Sequence, residues 1–331
     1  MTQSAFWESP VIASTIPVVK DSRWVRTNAA AVDRVAGWMA YEEFGLPDGA
    51  QMFDFGSDPD LLTDVTLFVN CLNFAFTDFA SSRKFELEYR GRTWSDSEAM
   101  VAALHRAHVA GDPIFTGAWM AAVTRPDLER IFAGSIEMPM LDERVAILRS
   151  VGATLVDRFD GSFHAWAAGC EPAMYAGGNG LLERLVADFP RFEDSHVFKG
   201  SRVRIYKLAQ LALWGLHAMW VREGRAGIRD LDRMSAFADY IVPVALRVMG
   251  IFQYVPDLER RIMAGEPIAR DSEEEIEIRA HTLYATALLT DALNELRPPE
   301  LRLVIPQVDY RLWKSYHATF HPHHLTVTTM Y

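Results

Sequence analysis

Two residues of this chain, Lys207 and Asp239, have types and a spacing that could carry out chemistry. Lys207 stands near the start of a long apolar segment that predicts a helix, and Asp239 stands where the pattern predicts the start of the next helix. A carboxylate below a sugar can stabilise the cation that develops as a sugar–base bond breaks, and it can orient the attacking water. The same layout is also typical of an ordinary helical hairpin, in which the lysine reaches solvent and the aspartate caps a helix.

Two further pairs of residues could bind a ligand. Asn73 and Phe74 stand in an aromatic segment whose rings could stack on a planar base, although aromatic residues at helical spacing more commonly pack in a core. Glu277 and Arg279 are two positions apart on a predicted helix and therefore lie on different sides of it. An arginine in such a place anchors either a loop or a phosphate, and the pattern does not separate the two.

The C-terminal segment contains a cluster of histidines that invites comparison with a metal site. The cluster consists of His317, His321, His323 and His324, together with Asp309 and Trp313. No pair of these histidines has the spacing of a known zinc motif, and residues 321–324 have the composition of a loop. The sequence therefore favours a phosphate-binding or surface role for the cluster, with no metal and no cofactor.

The composition restricts the class of protein. The chain has 331 residues, 50% of them hydrophobic, and a net charge of -11. This is enough apolar material for a large core, and the acidic balance disfavours binding to a long nucleic acid. Cys71 and Cys170 are the only cysteines and favour a reducing cytosol, and no apolar run is long enough to span a membrane. We expect a cytoplasmic protein with no signal peptide, in which a local basic patch could still bind a single phosphate.

The elements that must position these residues are mostly helices. Apolar periodicity and capping residues predict helices at 28–44, 61–74, 96–109, 126–133, 141–158, 181–189, 203–222, 231–249, 256–264 and 273–297. Strict alternation over 85–94 predicts one clear β-hairpin. Residues 1–26 are expected to be an extended segment, and 303–306 and 325–330 read as short β-like runs. The whole is expected to be a single mostly α-helical domain, residues 1–331, in which a hairpin-helix region at 196–250 carries Lys207 and Asp239.

Several short motifs, taken in order, give the chain a resemblance to a known family. They are Asn73-Phe74, AALHRA at 102–107, LDERV at 141–145, FDGSF at 159–163, DFPRFED at 188–194, YKLAQ at 206–210, FADY at 237–240, EIR at 277–279, Asp309-Tyr310, Leu312-Trp313, His324 and Tyr331. In this order over some 300 residues, they resemble the queuosine salvage proteins, the hydrolases that release queuine from queuosine 5′-monophosphate.

The resemblance implies a fold and a mechanism. That family is similar in fold to helix-hairpin-helix DNA glycosylases, in which a hairpin supplies a lysine and the next helix a catalytic aspartate. Carried over, those positions are Lys207 and Asp239. The implied reaction is hydrolysis of the ribose–base bond without a cofactor, with the carboxylate acting at the sugar and activating water.

The resemblance also implies substrate contacts. Asn73, Phe74, Asp78, Tyr240 and Trp313 are expected to line the base pocket, and Arg202, Lys207 and His324 to contact the 5′-phosphate. Tyr206, Glu277, Arg279 and Asp309 complete the expected substrate-binding set.

Two other functions remain open at the level of sequence. A base-excision DNA glycosylase would need a backbone-gripping hairpin, which is represented here only by 200–203, and the acidic balance disfavours it. A non-catalytic nucleotide- or RNA-binding helical module would bind the base and never release it from its sugar.

Overall fold

The computed structural model describes residues 4–45, 52–317, 319 and 321–331. These residues form fourteen α-helices and three two-stranded antiparallel sheets, which confirms a mostly helical protein. Internal contacts divide the chain into two compact units. The first unit comprises Met1–Asp48, Asp194–Gln210 and Asp230–Val327, and the second comprises Gly49–Glu193, Leu211–Arg229 and Thr328–Tyr331. The expectation of a single domain stays a prediction.

The first unit is built around its longest helix. Its helices are α1 (Pro10–Lys20), α2 (Ala29–Met39), α11 (Val242–Val248), α12 (Pro256–Met263), α13 (Glu273–Leu296) and α14 (Ile305–Tyr316). Its strands are β1 (Val25–Thr27) paired with β6 (Phe252–Tyr254), and β4 (Ser195–Phe198) paired with β5 (Ser201–Arg204). Helix α13 packs against α1, α2, α11 and α14, and its buried face joins the apolar core of this unit.

The second unit contains the remaining helices and one hairpin. The helices are α3 (Pro59–Cys71), α4 (Asp96–Val109), α5 (Gly117–Ala122), α6 (Arg125–Ile131), α7 (Leu141–Arg158), α8 (Phe163–Ala168) and α9 (Leu181–Asp188), and the hairpin strands are β2 (Glu86–Tyr89) and β3 (Arg92–Ser95). Helix α10 (Lys207–Arg222) begins in the first unit and continues into the second.

The prediction of an extended segment over residues 1–26 is wrong, because α1 forms there. Ser9 precedes Pro10, which stands in the first turn, where its missing N–H costs nothing. Val11, Ile12 and Val18 are fully buried, and α1 packs against α13. Burial of these β-branched side chains therefore outweighs their weak helix propensity.

Two more predictions near the candidate residues need correction. The predicted helix at 231–249 is limited to a 3₁₀ turn at Leu231–Arg233 and to α11, because the backbone between them bonds to side chains from elsewhere in the chain. The predicted strand at 303–306 is the start of α14, where Pro306 suits a first helical turn and could not donate to a sheet. In the run at 325–330, only Leu325 forms a β-bridge, to Pro267.

A second hairpin, which the sequence did not single out, leads into α10. Phe198 pairs with Ser201, so β4 and β5 are joined by the two residues Lys199 and Gly200. Both have positive φ, 46° and 84°, as a tight hairpin turn requires. The predicted helix at 203–222 therefore begins only at Lys207. In the described part of the chain, no helix has the length and apolar character needed to cross a membrane.

Candidate active site

The turn before α10 fixes the position of Lys207. The backbone carbonyl of Asp194 accepts hydrogen bonds from the N–H groups of Ile205 and Tyr206, and its carboxylate oxygen Oδ2 accepts one from the N–H of Lys207 at 3.1 Å. Tyr206 has a φ of 52°, a left-handed backbone that a tyrosine adopts at a cost of about 1–3 kcal/mol. Helix α10 thus starts from a strained turn held by one aspartate, and the Lys207 side chain is only 7% exposed.

Asp239 lies in the loop before α11 and binds the start of that helix. Its Oδ1 accepts the backbone N–H groups of Ile241 at 2.8 Å and Val242 at 3.1 Å. This confirms that Asp239 stands at the opening of a helix, where free N–H groups stabilise a negative charge. Both hydrogen bonds use Oδ1, and Oδ2 takes neither of them. The residue is 8% exposed.

A second carboxyl group, Asp309 on α14, belongs to the same cluster. Its Oδ2 accepts the backbone N–H of Phe237 at 2.9 Å, two residues before Asp239, and it is 3% exposed. Asp309 therefore fixes the loop that carries Asp239 and places another ionisable group close to it.

The electrostatics of this cluster move the lysine and the two carboxyls towards their neutral forms. Burial lowers the pKa of Lys207, an effect that the charge of Asp239 only partly offsets. Burial raises the pKa of Asp239, and here the positive charge of Lys207 acts in the opposite direction. Burial, and after it the charge of Asp239, raise the pKa of Asp309 well above its usual range. Perturbed groups that gather in one buried site are a recognised sign of chemistry.

Arg279 on α13 connects the two segments that carry Lys207 and Asp239. Its Nη1 and Nη2 donate to the two carboxylate oxygens of Asp194, both at 2.7 Å, and its Nε donates to the carbonyl of Ala238 at 3.2 Å. Arg279 is fully buried. Of the two roles left open by the sequence, loop anchoring is the one seen here.

Among the aromatic and histidine residues predicted to contact the substrate, Tyr240 directly follows Asp239, and His323 packs against Tyr240. The Tyr240 ring packs against that of His323, with centroids 4.5 Å apart, and the charge of His323 acts on Asp239. His324 is 2% exposed, and burial lowers its pKa to about 3, so it is neutral at physiological pH. Trp313 stacks on His317 with centroids 4.5 Å apart.

Three predicted substrate-binding residues of the first unit make other contacts. The carboxylate of Glu277 accepts the backbone N–H groups of residues 23–25 and so holds β1 against α13. Arg202 is exposed on β5 and donates to the hydroxyl of Ser195. Tyr206 is buried in the turn before Lys207. Their predicted contacts with a substrate stay predictions.

Asn73, Phe74 and Asp78 belong to the second unit. The Phe74 ring is 1% exposed, and the guanidinium groups of Arg144 and Arg191 lie over it at 4.2 and 4.8 Å from the ring centroid. The Asp78 carboxylate accepts hydrogen bonds from the backbone N–H groups of the turn that follows it. Their role as walls of a base pocket likewise stays a prediction.

One group of metal-ligand type comes together among the described residues, and it is not the C-terminal histidine cluster. His196, Asp271 and Glu275 bring one ligand atom each within 4.8 Å of the others. The two nitrogens of His196 are already engaged, Nδ1 with Asp271 at 2.7 Å and Nε2 with Arg279 at 3.0 Å. Since Arg279 can only donate, Nε2 must accept, and these contacts explain the group without an ion.

The sequence did not single out Asp194 as a functional residue. Its partner Arg279 is 85 positions away, so no local pattern could connect them. The one local signal was its place at the end of the motif DFPRFED: Asp194 is the residue directly before strand β4 and does not lie in a helix.

Comparisons with known proteins agree with the resemblance noted from the motifs. The chain is 32% identical over 324 residues to a protein of Sphaerobacter thermophilus named queuosine 5′-phosphate N-glycosylase/hydrolase, and the match covers 97% of each chain. A protein with the same name from Mus musculus is 29% identical, and the match covers 86% of this chain and 82% of the mouse protein. Another, from Schizosaccharomyces pombe, is 30% identical, and the match covers 83% of each chain. The profile of a family described as queuosine salvage protein matches residues 55–331. The chain therefore belongs to the queuosine salvage protein family.

Proposed function

We propose that this protein hydrolyses the N-glycosidic bond of queuosine 5′-phosphate and releases queuine. Membership of the family and the shared name of relatives that match over most of the chain support this activity. The buried cluster of Lys207, Asp239 and Asp309 supports a site for it in the first unit. We also propose that the hairpin β4–β5 and helix α10 correspond to the lysine-bearing hairpin of helix-hairpin-helix DNA glycosylases.

The observation that carries the mechanism is the way in which Asp239 is held. Two backbone N–H groups bind Oδ1 and fix the carboxylate. We assign Oδ2 to the reacting centre, where it stabilises the positive charge on the ribose and orients the attacking water. The bond between sugar and base breaks with its electron pair on the base, water adds to the sugar carbon, and the base takes up a proton.

Lys207 favours the ionised form of Asp239, which burial alone would suppress. Carbon 7 of a 7-deazaguanine cannot accept a proton, so departure of the base depends on hydrogen bonds to its pyrimidine edge. We propose Tyr240 and Trp313 of the first unit for the base, with Asp309 in its protonated form as a hydrogen-bond donor, whereas the predicted contacts of Asn73, Phe74 and Asp78 stay predictions. Arg202, Lys207 and His324 are proposed for the phosphate, His324 as a neutral donor because of its low pKa.

The test is release of free queuine from queuosine 5′-phosphate by the wild type and by Asp239→Asn. The amide oxygen can still accept the N–H groups of Ile241 and Val242, so the fold should be kept while the charge is lost. We expect release by the wild type and a fall of roughly 10²-fold or more in the variant, as for loss of one electrostatic contact to a transition state. Asp58→Asn, at the exposed start of α3, is the matched control and should keep wild-type activity.

Each other outcome has a distinct meaning. Binding of the nucleotide without release of queuine would contradict the enzyme and favour a binding module. Release of a base only from duplex DNA would favour a DNA glycosylase. Wild-type activity in Asp239→Asn would leave the function standing and reduce Asp239 to a helix cap.

A further inference from the structure

The buried pair formed by Asp194 and Arg279 connects two segments that are separate in sequence. On one side, Asp194 binds three successive N–H groups, those of residues 205–207, and so shapes the strained turn that delivers Lys207. On the other side, Arg279 donates to the carbonyl of Ala238, the residue directly before Asp239. The ion pair therefore links the segments that carry the two candidate catalytic groups, together with the hydrogen bonds between Gln210 of α10 and Ser235.

Asp194 and Arg279 form a bidentate ion pair. The two Nη atoms of Arg279 meet the two carboxylate oxygens of Asp194, each at 2.7 Å, in the parallel arrangement that fixes the orientation of both groups. Arg279 is fully buried and Asp194 is 3% exposed. Burial alone would raise the pKa of Asp194, but the charge and hydrogen bonds of Arg279 hold it below its usual range, so the pair is ionised.

A third residue sets the orientation of the guanidinium. Nδ1 of His196 lies 2.7 Å from the carboxylate of Asp271, which keeps the proton on that nitrogen. Nε2 of His196 is therefore an acceptor and takes a hydrogen bond from Nη1 of Arg279 at 3.0 Å. All three nitrogens of Arg279 thus donate to groups of the protein, namely Asp194, Ala238 and His196, which favours a role inside the protein over binding of a phosphate.

Stability alone is a weak reason for such a pair. Replacing a buried ion pair by apolar residues of similar volume is often neutral or stabilising, whereas removal of one partner leaves an uncompensated charge. Precise placement is a stronger reason, because a shift of about 1 Å in a reacting group can cost on the order of 10²-fold in rate.

We propose that Asp194 and Arg279 form a positioning pair, which holds Lys207 and Asp239 at the separation that the glycosidic reaction requires. Neither residue touches the substrate. The proposal rests on the proposed function, and it assigns to Arg279 a role different from substrate binding.

The test compares Asp194→Asn, Arg279→Met and the double variant, with kcat, KM and Tm measured for each. Each single change should lower kcat for queuine release by about 10- to 100-fold and leave KM within about threefold. Each should also lower Tm, because a buried charge loses its partner. In the double variant both charges are gone, so Tm should recover towards wild type while kcat stays low. If the pair only stabilised the fold, kcat would rise and fall with Tm across the variants.

Asp188→Asn is the matched control in the second unit. Asp188 is also a buried aspartate bound by arginines, Arg158 and Arg184. The control should lower Tm and leave kcat within about twofold. Arg279→Lys, which keeps the charge and loses the fork, should show a smaller loss of kcat than Arg279→Met.

Four results would overturn the proposal. One is a double variant in which kcat recovers together with Tm. A second is an Arg279→Met variant with kcat unchanged and KM raised more than tenfold for the nucleotide, which would make Arg279 a phosphate ligand. The third is the absence of queuine release by the wild type, which overturns the proposed function as well, whereas release with wild-type kcat in every variant contradicts the positioning pair alone.

Discussion

Removal of the Lys207 charge should shift the pH dependence of the reaction in a direction that the structure fixes. The proposed mechanism needs Asp239 ionised, so activity falls as the pH drops through the pKa of this carboxyl. The positive charge of Lys207 lowers that pKa, against the larger effect of burial. Lys207→Met removes the charge, so the pKa of Asp239 should rise and the acidic limb of the pH profile should move to higher pH.

Burial determines the size of the shift. Two unit charges about 5 Å apart interact by about 0.8 kcal/mol in water and by about 3 kcal/mol at an effective dielectric constant of about 20. Lys207 and Asp239 are 7% and 8% exposed, which places the pair near the second value. We therefore expect the acidic limb to move clearly to higher pH.

The assay is the pH dependence of kcat/KM for queuine release, which reports the pKa values of the free enzyme. The other ionisable groups that act on Asp239, namely His323 and Asp309, are present in both proteins. Lys199→Met is the matched control, because this lysine is exposed in the β4–β5 turn and bonds to Asp21. The control should leave the acidic limb in place.

One result would refute this electrostatic role. If Lys207 serves only to bind the 5′-phosphate, Lys207→Met will raise KM for the nucleotide while the acidic limb of kcat/KM stays at the pH of the wild type. A limb that moves to lower pH would contradict the sign of the interaction itself.

Three further predictions concern stability. The folded protein holds a proton on Asp309 more tightly than the unfolded chain does, so this carboxyl destabilises the fold as the pH rises above about 4. Asp309→Asn should therefore raise Tm at pH 8 but not at pH 4, and an unchanged Tm at pH 8 would contradict this. The same variant should lower queuine release about 10-fold or more. Burial lowers the pKa of His281 to about 4, so up to about 3 kcal/mol of stability should be lost as the pH falls from about 6.5 to 4, and urea unfolding of His281→Gln should show a smaller loss than wild type. A Cβ added to Gly152 would lie 2.2 Å from the backbone nitrogen of Ala121, so Gly152→Ala should cost about 3 kcal/mol or more in urea unfolding, whereas Gly37→Ala, with open space around it, should be neutral or slightly stabilising.

The sequence predicted best where local signals agree with one another. Helix α7 begins and ends where its periodicity indicated, at 141 and 158, and α6 begins at the turn that contains Pro126. In both helices the apolar spacing is helical, and in α6 a capping box at Thr124 strengthens the start. Failures occur where distant residues decide the structure, as in α1, whose β-branched side chains are helical because α13 buries them.

The loop that carries Asp239 shows the same limit at the candidate site. Its pattern predicted a helix, yet the N–H of Ser235 bonds to Gln210, that of Phe237 to Asp309, and the carbonyl of Ala238 to Arg279. These partners satisfy backbone groups that a helix would otherwise have paired internally. Residue types could indicate Lys207 and Asp239 as candidates, but no local pattern could show which side chains hold them.

Two buried aspartates of the first unit, Asp194 and Asp239, differ in their electrostatics, and the difference supports the proposed reactive group. Asp194 is as buried as Asp239, and burial alone would raise the pKa of either residue. Its two oxygens bind Arg279, and the pKa of Asp194 is lowered, which is what a scaffold carboxylate requires. Burial keeps the pKa of Asp239 raised, although the charge of Lys207 and the hydrogen bonds from two backbone N–H groups act in the opposite direction. A carboxylate that a protein uses only for structure gains from full neutralisation, whereas one that must stabilise a transient cation is more effective when its charge is not already matched. On these grounds we propose Asp239 as the reactive carboxylate and Asp194 as part of its support.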